Sequence, residues 1–166
     1  MIKDFKNTTP QINETAFIAP NSTVIGNVVI GANSTVWYNA VLRGDIDSIV
    51  VGDNTNIQEG CILHCKKGVG LKIGSNVTVG HGAILHSCCV GNNTLIGMGA
   101  IVLDNSEIGN NCLIAAGSVV TSKTKIPDNS LVVGSPAAIK RVLSEQEILN
   151  IKNNANEYVS LLKFYK

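Results

Sequence analysis

Charge is scarce in this chain. Only 15% of its 166 residues are charged and the formal balance is +1, so it has neither the basic face that nucleic acid selects nor an acidic tail. Aromatic residues make up 4%, which leaves the core to aliphatic side chains. No apolar run reaches the roughly 18 residues that a transmembrane helix needs. The opening Met1-Ile-Lys-Asp-Phe-Lys6 lacks the apolar stretch of a secretory signal. These absences lead to an expectation of a cytoplasmic protein with a small or neutral partner, without nucleic acid or membrane. Five cysteines are an odd number with no paired spacing, so a disulfide framework is not expected and the thiols default to burial. What the chain does have is sixteen glycines and a high content of Val and Ile, which point to stacked β-structure with tight turns. Its length suits one domain with a real core.

An aliphatic residue recurs every six positions, with a small residue four places after it. Ile18, Val24, Ile30, Val36 and Leu42 open the series, and Val51, Ile57 and Leu63 follow an insertion. After a second insertion, Lys66 to Lys72, come Ile73, Val79 and Leu85, and after a one-residue deletion the run from Val90 to Val132. Each unit of such a repeat buries its face only by stacking on the next, which is the signature of a solenoid. The period resembles the hexapeptide repeat, and that resemblance implies an all-β solenoid: a left-handed parallel β-helix with three short strands per coil over residues 12–137. Cys61, Cys89 and Cys112 fall at the inward small position and are expected in the core, with Cys65 and Cys88 as surface or interface thiols.

Residues 1–11 read as an N-terminal arm that caps or pairs with the first coil. After Val132 the period stops, and Gly134-Ser-Pro136 makes a turn. Ser144-Glu-Gln-Glu147 then reads as a capping box opening a C-terminal α-helix. Ile148, Ile151, Ala155, Tyr158, Val159 and Leu162 keep helical spacing there. Residues 138–166 are expected as turn and helix packed on the prism.

All three histidines, His64, His81 and His86, lie close together in sequence. With three repeats per coil, the units opened by Leu42, Leu63 and Leu85 form one column, so Arg43, His64 and His86 stack about 4.8 Å apart on consecutive coils. His64 and His86 then form a chelating pair. His81 belongs to the column of Glu59 on a neighbouring face, so a shared metal requires His81 from a second copy. The expectation is a homotrimer with three interface sites, each a His₃ set with an open fourth position that yields hydroxide near neutral pH. Zn²⁺ is the first choice, with Fe²⁺, Co²⁺ or Ni²⁺ also suited to such ligands. Glu59 is placed to orient the other ring nitrogen of His81. Trp37, one coil before Gln58, is expected to pack at the subunit contact.

Arg43-Gly-Asp45, Asn56-Ile-Gln58-Glu59-Gly60, His64 and His81-x₄-His86 resemble the γ-class carbonic anhydrase signature in order and interval. The resemblance implies a zinc lyase that hydrates CO₂ reversibly to bicarbonate through a metal-bound hydroxide. It also implies an inter-subunit ion pair of Arg43 and Asp45, catalytic assistance from Gln58, and a further catalytic contribution from Tyr158 on the C-terminal helix. The chain departs from well-studied members in having Ile46, where they carry glutamate, and Cys65-Lys-Lys-Gly68, where they carry an acidic, proton-shuttling loop. Two other readings compete. One is a hexapeptide acyltransferase using a coenzyme A thioester, suggested by the Gly134-Ser-Pro136-Ala-Ala-Ile-Lys140-Arg ending; the other is a metal-stabilised trimeric scaffold without turnover.

Overall fold

The computed structural model describes residues 1–165. Those residues form a parallel β-solenoid of triangular cross-section, closed by one helix, as the repeat requires. On the first face, Ile2–Lys3 and the opening part of Thr23–Ile30 are followed by the opening part of Val41–Val51, then Ile62–His64, Ile84–His86, Ile101–Val102 and Val119–Val120. The second face carries Gln11–Ile12, the later parts of the two long strands, Leu71–Ile73, Cys89–Val90, Glu107–Ile108 and Lys125–Ile126. The third is an eight-stranded sheet from Phe17–Ile18 to Ala137–Val142. The first insertion is absorbed by letting Val41–Val51 run around a corner from one face to the next. At that corner residue 44 must be glycine, because a Cβ there would come within 2.8 Å of the Asn27 carbonyl carbon. The second insertion folds into a small loop bridged by Lys66 and Val69. Strands Ile2–Lys3 and Gln11–Ile12 supply two sides of an opening coil.

Inside the prism the aliphatic column of the repeat is buried throughout, from Val24 to Val132. The small inward residues fill the corners, and their hydroxyls donate to carbonyls of the next coil. Ser34 Oγ reaches Gly52 O at 2.7 Å, Thr55 Oγ1 reaches Gly74 O at 2.8 Å, and Thr94 Oγ1 reaches Gly109 O at 3.0 Å. Among the described residues no buried side-chain nitrogen or oxygen lacks a partner, as a stable interior demands. One outer corner is lined by Asn33, Asn54, Asn76, Asn93, Asn111 and Asn129, all with φ between 52° and 60°. Asparagine tolerates this left-handed region because its short side chain finds local hydrogen bonds. Here each Nδ2 donates to the Oδ1 of the next asparagine at 3.0–3.3 Å.

The cysteine expectations need correction. Cys61 and Cys112 are buried, but so are Cys65 and Cys88, while Cys89 is exposed. The inward small residue keeps its register with the strand that follows it, two positions ahead of the next aliphatic residue. The deletion before Val90 therefore moves Cys88 inward and turns Cys89 out. Burial pushes the Cys61 thiol up to about 11 and raises Cys65, Cys88 and Cys112 as well.

The tail contains a strand that the repeat does not announce. Ala137–Val142 runs antiparallel to Ser130–Gly134 and ends the third face. The helix Glu145–Tyr165 then returns along that face, burying Ile151, Ala155 and Leu162. Its first turn is capped as expected: Glu147 N donates to Ser144 Oγ at 3.3 Å and Ser144 N to Glu147 Oε2 at 2.9 Å. The same carboxylate takes two hydrogen bonds from Arg141, at 2.7 and 2.8 Å. Trp37 lies under this helix rather than at a surface left for another subunit. It is 4% exposed within the single chain, among Phe17, Tyr158 and Tyr165 at ring distances of 5.6, 5.7 and 4.9 Å.

Two measurements follow. An aromatic disulfide reagent should label one of the five thiols in the folded protein and all five in denaturant, with Cys89→Ser abolishing the native reaction. The hydrogen bonds from Arg141 and Ser144 hold Glu147 down to about 2, against an ordinary 4.5. The stabilisation this carboxylate brings is therefore complete above 4.5 and is lost as pH falls through the lower value. The Tm difference between wild type and Glu147→Gln should shrink over that window; a constant difference would contradict the linkage.

Candidate metal centre

The strand register aligns Arg43 with His64 and His64 with His86. All three side chains follow a buried leucine, so alternation along the strand turns them outward at one edge of the first face. The two imidazoles meet with His64 Nδ1 3.2 Å from His86 Nε2. Two ligands on one tetrahedral zinc, each at about 2.0–2.1 Å, lie about 3.3 Å apart.

The other nitrogen of each ring faces a carboxylate. His64 Nε2 is 3.1 Å from Asp45 Oδ1, and His86 Nδ1 is 2.5 Å from Asp104 Oδ1. An ionised carboxylate only accepts, so the nitrogens that face it carry the protons. The lone pairs are then left on the two nitrogens that face each other. Two acceptors at 3.2 Å repel unless a proton or a metal cation sits between them, and this donor set fits a divalent metal. Each carboxylate is itself held by a cation. Arg43 Nη1 donates to Asp45 Oδ2 at 2.6 Å, and Lys66 Nζ to Asp104 Oδ2 at 3.0 Å. Burial works to raise the Asp45 pKa, but the hydrogen bonds from Arg43 and His64 and the guanidinium charge outweigh it and keep it below the ordinary value. Hydrogen bonds from His86 and Lys66 lower Asp104. Within one chain, Arg43 and Asp45 thus bond to each other.

Asp104 belongs to none of the motifs in the sequence. The signal available was its place two residues after Val102, on the coil that follows His86.

His81 stands apart from the pair. It lies in the turn that joins the third face to the first, five residues before His86. The strand Ile84–His86 then crosses the first face, so the two rings stand at its opposite edges. His81 Nδ1 is 2.8 Å from Glu59 Oε2, so this ring too offers Nε2 as its lone pair, and it is about half exposed. Among the described residues no three His, Cys, Asp or Glu side chains converge to hold a metal within one chain. Between the two edges the outward strand positions are Val41, Ile62, Ile84, Ile101 and Val119, in register on consecutive coils. They form an apolar stripe.

Gln58 and Tyr158 join His81 around a cavity of about 340 Å³ that also takes in Leu95, Met98, Leu113 and Asn154. Gln58 is 4% exposed and tied at both ends. Its Oε1 accepts from the His81 backbone N–H at 3.1 Å, and its Nε2 donates to Asn56 Oδ1 at 3.0 Å. Thr78 Oγ1 donates to Asn154 Oδ1 at 2.9 Å, fastening the helix to the sheet. The Tyr158 pKa is raised by burial and by the nearby Glu59 carboxylate, so its phenol is a donor at neutral pH.

The family described as "Bacterial transferase hexapeptide (six repeats)" matches residues 9–44 and 90–122. The chain is 49% identical over 166 residues to a protein of Geobacillus kaustophilus named "Carbonic anhydrase", covering 100% of this chain and 91% of the relative. It is 40% identical over 162 residues to "Gamma carbonic anhydrase 2, mitochondrial" of Arabidopsis thaliana, covering 94% of this chain and 58% of that one. A crystal structure from Anaplasma phagocytophilum, described as a hexapeptide transferase family protein, superposes with a TM-score of 0.95 at 40% identity, covering 99% of this chain and 98% of that one.

Trp37 is the single tryptophan of the chain and reports on the helix that carries Tyr158. Tyr158→Ala should move its fluorescence to longer wavelength and admit iodide quenching severalfold, with the far-UV spectrum of the solenoid retained. Unshifted emission would show that Tyr158 does not seal this face.

Proposed function

The chain belongs to the γ-class carbonic-anhydrase-like proteins of the hexapeptide-repeat family, and we propose that it hydrates CO₂ reversibly to bicarbonate at a divalent metal shared between subunits of a homotrimer. The observation that carries this reading is the approach of His64 Nδ1 to His86 Nε2 at 3.2 Å, with a carboxylate behind each ring. His64 and His86 of one subunit and His81 of the next would hold the metal, zinc first, with Fe²⁺, Co²⁺ or Ni²⁺ as substitutes. In a His₃ set zinc supplies Lewis acidity sufficient to bring the pKa of water to about 7.

The disposition of the first face supports a ring. Its two edges carry unlike halves of one site, with the apolar stripe between them. A two-fold axis would bring like edges together, whereas head-to-tail contact joins unlike ones and closes after a few copies. Three copies suit a three-sided prism. Covering the stripe also adds hydrophobic association at about 25 cal/mol per Å².

The chain's own residues account for substrate handling. Leu95, Met98 and Leu113 give the cavity an apolar wall suited to CO₂. Gln58, fixed at both ends, has one Nε2 hydrogen left to donate toward a substrate oxygen, and the Tyr158 phenol supplies a second donor. Glu59 keeps His81 turned with Nε2 outward. Proton export is the weak step, since the loop Cys65-Lys-Lys-Gly68 offers no carboxylate; turnover should therefore rise with the concentration of an imidazole-type buffer.

A transferase reading is favoured by the likeness to the Anaplasma structure and by the bacterial transferase hexapeptide match, and a coenzyme A-dependent rise in Tm would support it. The deciding experiment is elemental analysis paired with a CO₂ hydration assay on zinc-loaded and anaerobically iron-loaded protein. Bound metal near one per chain is expected, with a rate above the uncatalysed reaction. His81→Ala should lower metal content and weaken the trimer. Metal-free wild type, together with unchanged assembly in His81→Ala, would sink the proposal; metal without any rate would leave a scaffold.

A further inference from the structure

The two halves of the histidine pair are built on one plan from unrelated parts of the chain. Asp45 gives one oxygen to Arg43 and the other to His64, and Asp104 gives one oxygen to Lys66 and the other to His86. The first cation lies two residues from its carboxylate. The second comes from the inserted loop, two residues after His64.

We propose that Lys66 and Asp104 are a positioning pair that selects the Nδ1–H tautomer of His86 and aims its Nε2 at the metal, so that the inserted loop sets the affinity of the site. This rests on the metal-binding reading of the same centre.

Three observations carry the inference. Asp104 accepts from His86 Nδ1, and an acceptor there fixes which ring nitrogen keeps its hydrogen. Lys66 occupies the second oxygen, which stops the carboxylate from rotating away. Lys66 is also no free surface lysine, because its loop is fastened on three sides. Lys66 N donates to Ser87 Oγ at 2.7 Å, Ser87 Oγ donates to Val69 O at 2.8 Å, and Gly68 N donates to Asp47 Oδ2 at 2.8 Å. Ser87 adjoins His86, so the loop and the ligand share an anchor.

A structural salt bridge is the competing account. Lys66 and Asp104 are 43% and 27% exposed, and pairs this open contribute little to stability. Without Asp104, His86 could adopt the Nε2–H tautomer or turn its ring. Either change removes its lone pair from the point that His64 Nδ1 faces.

The test uses ¹⁵N-histidine NMR of chelator-treated protein and zinc titration of the same samples. Wild-type His86 is expected as the Nδ1–H tautomer before any metal is added. Asp104→Ala should lose that preference and weaken zinc binding about 10–100-fold, with oligomeric state and Tm close to wild type. Lys66→Met should shift both readouts less, in the same direction. Asp104→Asn keeps an acceptor oxygen and should restore the tautomer and much of the affinity. An Nε2–H tautomer in wild type would overturn the proposal, as would an unchanged tautomer and zinc Kd in Asp104→Ala. Should Asp104→Ala not fold, the wild-type tautomer and Lys66→Met decide. The tautomer is read without metal, so failure of wild type to bind zinc would count against the metal centre and leave this readout standing.

Discussion

Every feature of this protein depends on the parallel hydrogen-bond ladder that stacks one coil on the next. Its spacing is fixed by the backbone, so residues a coil apart in sequence become neighbours whatever their side chains. The buried leucines before Arg43, His64 and His86 show the consequence. Once Leu42, Leu63 and Leu85 point inward, the next residue on each strand must point out, and three polar side chains arrive at one edge without any local signal of their own. The core does not choose the ligands; it fixes the pitch at which they are displayed.

That rigidity also limits what one chain can do. His81 and His86 lie five residues apart in sequence, yet they stand at opposite edges of one face and do not converge on a common point with His64. A flexible loop would have let the three rings meet locally. A stacked sheet holds two imidazoles at one edge and a third at the other.

The sequence showed the fold in detail because the period is a backbone property, and an aliphatic residue is needed each time the chain turns inward. It showed the split of the histidines for the same reason. For one pair of cysteines it misled because of a single-residue change in coil length. The deletion before Val90 exchanged the places of Cys88 and Cys89, since the inward corner follows the strand ahead of it. Asp104 escaped notice because an aspartate in a turn is ordinary, and only the partners His86 and Lys66 distinguish it. Trp37 reads as a subunit contact from sequence because nothing in the repeat indicates which face the C-terminal helix covers. Strand Ala137–Val142 was missed because it is mostly exposed and lacks the alternation that marks a buried one.

The asparagine corner has one more property. Each of its five links runs the same way, from an earlier coil to a later one. The amide dipoles therefore add head to tail, and the corner is a polar wire with a direction, as the peptide units of a helix are. A rung in the middle must donate on one side and accept on the other. Aspartate matches asparagine in size but would set an acceptor against an acceptor, and glycine would fit the backbone while interrupting the wire. Only an amide that tolerates the left-handed backbone satisfies both conditions, so the identity of the four inner residues, Asn54, Asn76, Asn93 and Asn111, follows from polarity as well as from backbone shape.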